Sequence, residues 1–62
     1  SVKAEIDAMY EALDAGDADR ALKIIARLRR IIPDDPEVLR GEYLARAIGS
    51  SNANGGGTNA PH

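Results

Sequence analysis

The chain has no cysteine, no tryptophan and no phenylalanine, and its only histidine is the last of its 62 residues. Without cysteine there is no disulfide to staple a small domain, and no thiol to serve as nucleophile or soft metal ligand. One imidazole at a chain end does not make a metal site, and no cofactor signature is present. Tyr10 and Tyr43 are the only aromatic residues, so a core must be assembled from Ala, Val, Ile, Leu and a single Met. No apolar run approaches the ~20 residues that a membrane-spanning helix requires. No basic-then-apolar leader is read at the start, and the expected location is the cytoplasm.

These absences leave a physical problem. A chain this short buries only about 60% of the surface its unfolded state exposes, which leaves it marginal unless it is bridged, metallated or associated. With the first two routes closed, association is the route that remains.

The net charge of −2 conceals an asymmetry. Residues 1–19 hold Lys3 alone against Glu5, Asp7, Glu11, Asp14, Asp17 and Asp19. Residues 20–33 hold Arg20, Lys23, Arg27, Arg29 and Arg30 with no acid at all. Residues 34–49 return to acidity, with Asp34, Asp35, Glu37 and Glu42 against Arg40 and Arg46. An acidic stretch followed by a basic one suits antiparallel neighbours. Each exposed pair contributes only ~0.2–1 kcal/mol, so the pattern biases orientation more than it stabilises.

Two punctuated segments divide the first 49 residues into three helices. Ile6, Met9, Tyr10 and Leu13 recur at helical spacing and predict a first helix over about Val2 to Ala15, with Ser1 able to cap it. Gly16 is a left-handed stop, since it alone carries no Cβ penalty there. Asp17 then caps a second helix, and Asp19 suits the positive end of its dipole. That helix is expected from about Ala18 to Ile32, with Ala21, Ile24, Ile25, Leu28, Ile31 and Ile32 as its apolar face. Pro33 ends it. Asp35-Pro36-Glu37 restarts the chain as a third helix, expected from about Pro36 to Ile48. Val38, Leu39, Tyr43, Leu44, Ala47 and Ile48 give it an apolar arc wider than one neighbour needs. Gly41 in its middle costs roughly 1 kcal/mol of helix propensity relative to Ala, which points to a close helix crossing or to simple tolerance. From about Ser50 to His62 the chain turns rich in Gly, Asn and Ser and reads as a flexible tail. The expected fold is all-α: a helical hairpin over residues 1–49 with a third helix packed back across it, followed by that tail at 50–62.

The turn chemistry resembles that of the tetratricopeptide repeat family. Gly16-Asp17 stands at the turn, Ala21 at the helix crossing, Ile25 one turn later and Pro33 at the close. Asp34-Asp35-Pro36-Glu37 is similar to the family's join to a following repeat. The match covers residues 16–37. Along the first helix the family's large, small and Tyr positions are met by Ala8, Met9 and Ala12, and Leu28 stands where a small residue is usual. The resemblance implies a concave surface made from Lys3, Ile6, Tyr10, Leu13 and Asp14 of helix one, with Glu37, Arg40, Leu44 and Ala47 of helix three.

The expected function is a non-enzymatic protein–protein interaction module of the adaptor, chaperone or assembly kind. It would bind a partner protein or peptide, or a second copy as a homodimer. The residues expected to meet the partner are Ile6, Tyr10, Leu13, Leu39, Tyr43, Leu44 and Ile48. Such apolar stripes also serve simply as core. The alternative is a nucleic-acid-binding domain using Arg20, Lys23, Arg27 and Arg30 to contact phosphates. The acidic balance of the whole chain argues against it, because a typical binder presents a basic domain surface. Enzyme chemistry is not expected: the carboxylate pairs Asp34/Asp35 and Glu11/Asp14 have no nucleophile–base constellation and no pocket to shift their pKa values.

Overall fold

A computed structural model describes residues 1–58, with side chains described for residues 1–52. It is all-helical: α1 (Val2–Asp14), α2 (Ala18–Ile31) and α3 (Pro36–Thr58). Each start follows from a side chain that satisfies orphan backbone donors. Ser1 Oγ accepts from the Ala4 amide at 3.2 Å. Asp17 Oδ1 accepts from the Arg20 amide at 3.1 Å. Asp35 Oδ2 accepts from the amides of Glu37 and Val38 at 3.1 and 3.2 Å.

The link between α1 and α2 is only Ala15, Gly16 and Asp17. Gly16 takes a left-handed φ of 71°. Its amide donates to the Leu13 carbonyl at 3.0 Å, and the Asp17 amide donates to the Ala12 carbonyl at 2.9 Å. These two bonds form a Schellman closure. Asp17 therefore seals the end of α1 with its backbone and opens α2 with its side chain, which forces the two helices into a hairpin.

The core is made of close backbone approaches. Met9, Ala12, Ala21, Leu28, Val38 and Ala45 are fully buried, with Ile24, Ile25 and Ala18 nearly so. The glycine expected at a crossing is at one: a Cβ on Gly41 would lie 2.5 Å from Met9 Sδ. The absent side chain lets α3 settle onto α1, with the Met9 thioether filling the space. Beyond it, a Cβ on Gly49 would lie 3.4 Å from Ala18 Cβ, and Asn52 Nδ2 donates to the Gly16 carbonyl at 3.4 Å. So α3 runs beside α1 in the same direction and against α2 in the opposite one.

Three expectations need correction. Ile31, placed in the apolar face of α2, is 59% exposed because its side of the last turn faces solvent, while Ile32 after it is half-buried against the core. Leu39, Tyr43 and Ala47 are exposed, while Ala45 and Gly41 join the expected Val38 in the buried positions of α3. The end expected at Ile48 is passed, since Gly49 and Asn52 continue the packing against the α1–α2 turn. Of the tail read at 50–62, residues 59–62 lie outside the described residues.

Candidate functional site

The rotation of α3 decides what it offers to the outside. Gly41 faces Met9 of α1, and Glu42 faces Arg29 of α2, its carboxylate 2.7 Å from the guanidinium. A helix turns about 100° per residue, so residue 43, and residue 39 one turn before it, point away from both neighbours. Tyr43 is accordingly 74% exposed and Leu39 40% exposed. They form an apolar outer face on α3.

The other five residues expected to meet a partner lie elsewhere. Ile6 and Leu13 are half-buried and pack against the core. Leu44 and Ile48 are half-buried, three and seven residues from Gly41, on the side of α3 that faces α1. Tyr10 is 37% exposed, and its hydroxyl donates to Glu37 Oε2 at 2.7 Å, joining α1 to the first turn of α3. That carboxylate favours the protonated phenol, and with partial desolvation it holds the Tyr10 pKa above the usual tyrosine value. The seven residues thus divide between a seam, where α1 meets α3, and the open face of α3. None of the seven is fully buried.

The open face has a basic border. Glu42 accepts from Arg46 at 2.8 Å as well as from Arg29. The Arg46 hydrogen bond, aided by the charge of Arg29, lowers the Glu42 pKa. One carboxylate between two guanidiniums leaves excess positive charge, and exposed Arg40 adds to it without an ion-pair partner among the described residues. The outer side of α1 has the opposite sign. Asp7, Glu11 and Asp14 are all exposed and spaced along one side of that helix, with Lys3 paired to Asp7 at 3.6 Å. The acidic border was present in the sequence as an i, i+4, i+7 spacing, whereas Arg40 and Arg46 stand six residues apart, and only the rotation of each helix shows which residues share a side.

The stripe proposed for phosphate contact is partly engaged. Arg27 reaches across to Glu5 at 3.0 Å. Arg20, Lys23 and Arg30 are exposed, with no ion-pair partner among the described residues. The best-formed depression, about 290 Å³, is lined by Gly16, Asp17, Ala18, Asp19, Gly49 and Asn52. Two of its polar side chains already have partners, since Asp17 caps α2 and Asn52 binds the Gly16 carbonyl, and the third, Asp19, is exposed in the first turn of α2.

Among the described residues no polar or charged side chain is buried, no group of His, Cys, Asp and Glu is arranged to hold a metal ion, and no helix is long and apolar enough to cross a membrane. The class these features define is an all-α helical hairpin with a third, half-covered helix. Comparison with family models, with curated proteins and with solved structures finds no match to this chain.

Proposed function

We propose that this chain is a non-enzymatic protein–protein interaction module, a degenerate tetratricopeptide-like hairpin followed by the first helix of a next unit, working in the cytoplasm. The observation that supports the reading is the outer face of α3, where Leu39 and Tyr43 remain exposed although they are among the largest apolar side chains available. Large apolar side chains left in water on a small chain mark a binding surface more often than an accident of packing. Tyrosine and arginine together are the residues enriched where proteins meet. A helix laid along this face would cover both residues and meet Arg40 and Arg46 at its edge, the helix-in-groove mode of recognition.

Affinity capture from the source cell tests the reading, with wild type and Tyr43→Asp as paired baits. Tyr43 makes no fully buried contact, so the variant keeps its helical circular dichroism and its melting temperature. The expected result is a set of proteins retained by wild type and lost on the variant. Identical capture by both baits refutes the face.

A further inference from the structure

We propose that the outer face of α3 takes the outer face of α1 from a second copy of this chain, so that copies join head to tail. The proposal rests on the interaction-module reading and names its partner.

Charge selects the arrangement. Two copies could instead meet by a symmetric contact, α3 on α3. In an antiparallel crossing centred on Tyr43, Arg40 then falls opposite Arg46 of the partner subunit, and the nearby carboxylates are engaged within each copy, Glu42 by two arginines and Glu37 by the Tyr10 hydroxyl. A parallel crossing also sets like against like. The symmetric contact of α1 on α1 brings Asp7, Glu11 and Asp14 against their own copies, with only Lys3 to offset them. Each symmetric pairing is repulsive, and like charges held together cost association. Of the pairings of these two faces, only the mixed one sets acid against base. It places Asp7, Glu11 and Asp14 beside Arg40 and Arg46, with Tyr10 on one side and Leu39 and Tyr43 on the other supplying apolar area. Tyrosine suits both sides, having an apolar body and a polar tip.

Such a contact joins two different patches, so each copy keeps one unused patch at either end. Heterologous contacts of this kind make rings where the rotation closes and open chains where it does not. The attraction between borders is screened by salt, with a Debye length of about 10 Å at 0.1 M ionic strength.

Sedimentation of the full chain tests this, with two variants. Arg40→Gln/Tyr43→Ser blocks the α3 face without making it acidic, and Glu11→Lys/Asp14→Lys reverses the α1 face; all four positions are exposed. Wild type at low salt is expected to form a concentration-dependent series of species that shrinks as salt is added. Each variant alone is expected to associate roughly tenfold more weakly or less. An equimolar mixture of the two is expected to form a single one-to-one dimer, the acidic α1 of the first on the intact α3 of the second, with no larger species. A lysine variant that still dimerises by itself overturns the head-to-tail contact in favour of a symmetric one. Wild type that stays monomeric at low salt overturns self-association and needs no variant to do so. In that case a positive result from the paired baits would still support the interaction module with a different protein.

Discussion

Replacing Gly41 with alanine separates two opposed effects whose sizes are known. Taken as helix chemistry alone, the change is favourable, since alanine outranks glycine by about 1 kcal/mol in a helix interior. The packing opposes it. The new Cβ would lie 2.5 Å from Met9 Sδ and 3.0 Å from Met9 Cε, and Met9 is itself fully buried, so its flexible thioether must repack among core neighbours rather than swing into water. Forcing a methyl into a filled core costs about 1–3 kcal/mol. Taking the middle of that range, the net effect is a loss of about 1 kcal/mol, which for a domain of about 60 residues lowers Tm by roughly 4–8 °C.

The same substitution should change sign when Met9 is removed. Met9→Ala deletes the three atoms nearest the new Cβ, so Gly41→Ala in that background recovers its helix propensity and stabilises by about 1 kcal/mol. The double-mutant coupling is then about 2 kcal/mol. Met9→Ala alone leaves a cavity worth about 2–5 kcal/mol, a large part of the total for so small a chain. The four proteins are therefore best compared by urea unfolding in an excluded osmolyte such as sucrose, which favours the folded state in all of them. If Gly41→Ala stabilises the wild-type background by its full helix propensity of about 1 kcal/mol, the close approach of α1 and α3 is wrong. If its effect keeps the same sign without Met9, the clash is with something else.

Two further substitutions address the turn and the ion pairs. Gly16→Ala meets no atom within 4 Å, so its cost is conformational, about 1 kcal/mol for a left-handed alanine. Circular dichroism melts should show Gly16→Asn losing less, because asparagine tolerates this region; equal losses would argue against the left-handed closure. Glu42 has a folded pKa below its unfolded value of 4.5. Its contribution is therefore present in full above that value and is lost as pH falls through the lowered folded value. Glu42→Gln should reduce stability by about 1 kcal/mol near neutral pH, the worth of two exposed pairs, and should flatten the decline of the urea midpoint between about pH 5, just above the unfolded value, and about pH 3, below it, the side on which the lowered folded value lies. A variant with the wild-type pH slope would remove Glu42 from that role.

The parts of the fold legible in the sequence were those decided by a few adjacent residues. Ser1, Asp17 and Asp35 cap the three helices as their positions imply, and Gly16 takes the left-handed turn because nothing between Ala15 and Asp17 could do so as cheaply. Side assignment was less legible. Periodicity placed Leu39 and Tyr43 together with Val38 in one broad arc, and hydrophobicity alone ranks them above Ala45 and Gly41. The helices chose the smaller residues. Where two helix axes approach closely, only small side chains fit at the crossing, and larger ones are displaced to the margin. Ala12, Ala21, Gly41 and Ala45 are buried for that reason, with Met9 filling the gap that Gly41 leaves. The same effect hid the candidate site. A pattern of apolar residues shows that a helix has an apolar side, but the rotation of α3 depends on Gly41 and Glu42, which belong to no apolar pattern.

A core closed by small residues has an energetic consequence. Four of the nine buried apolar residues are alanines, each with one methyl to remove from water, at about 0.8 kcal/mol per buried carbon. The larger groups that could contribute more, Leu39, Tyr43 and Ile31, stay outside. Turning α3 to bury Leu39 and Tyr43 would withdraw Gly41 from Met9 and separate Glu42 from Arg29, so the apolar surface cannot be recovered by rotation without losing the crossing. Apolar area on α3 is thus divided between two sides, and three helices can cover only one. Any further covering of Leu39 and Tyr43 must come from outside this helical hairpin and its third helix. A protein that binds there adds its binding free energy to the folding free energy of the chain, which makes the stability of this small domain depend on the concentration of whatever occupies α3.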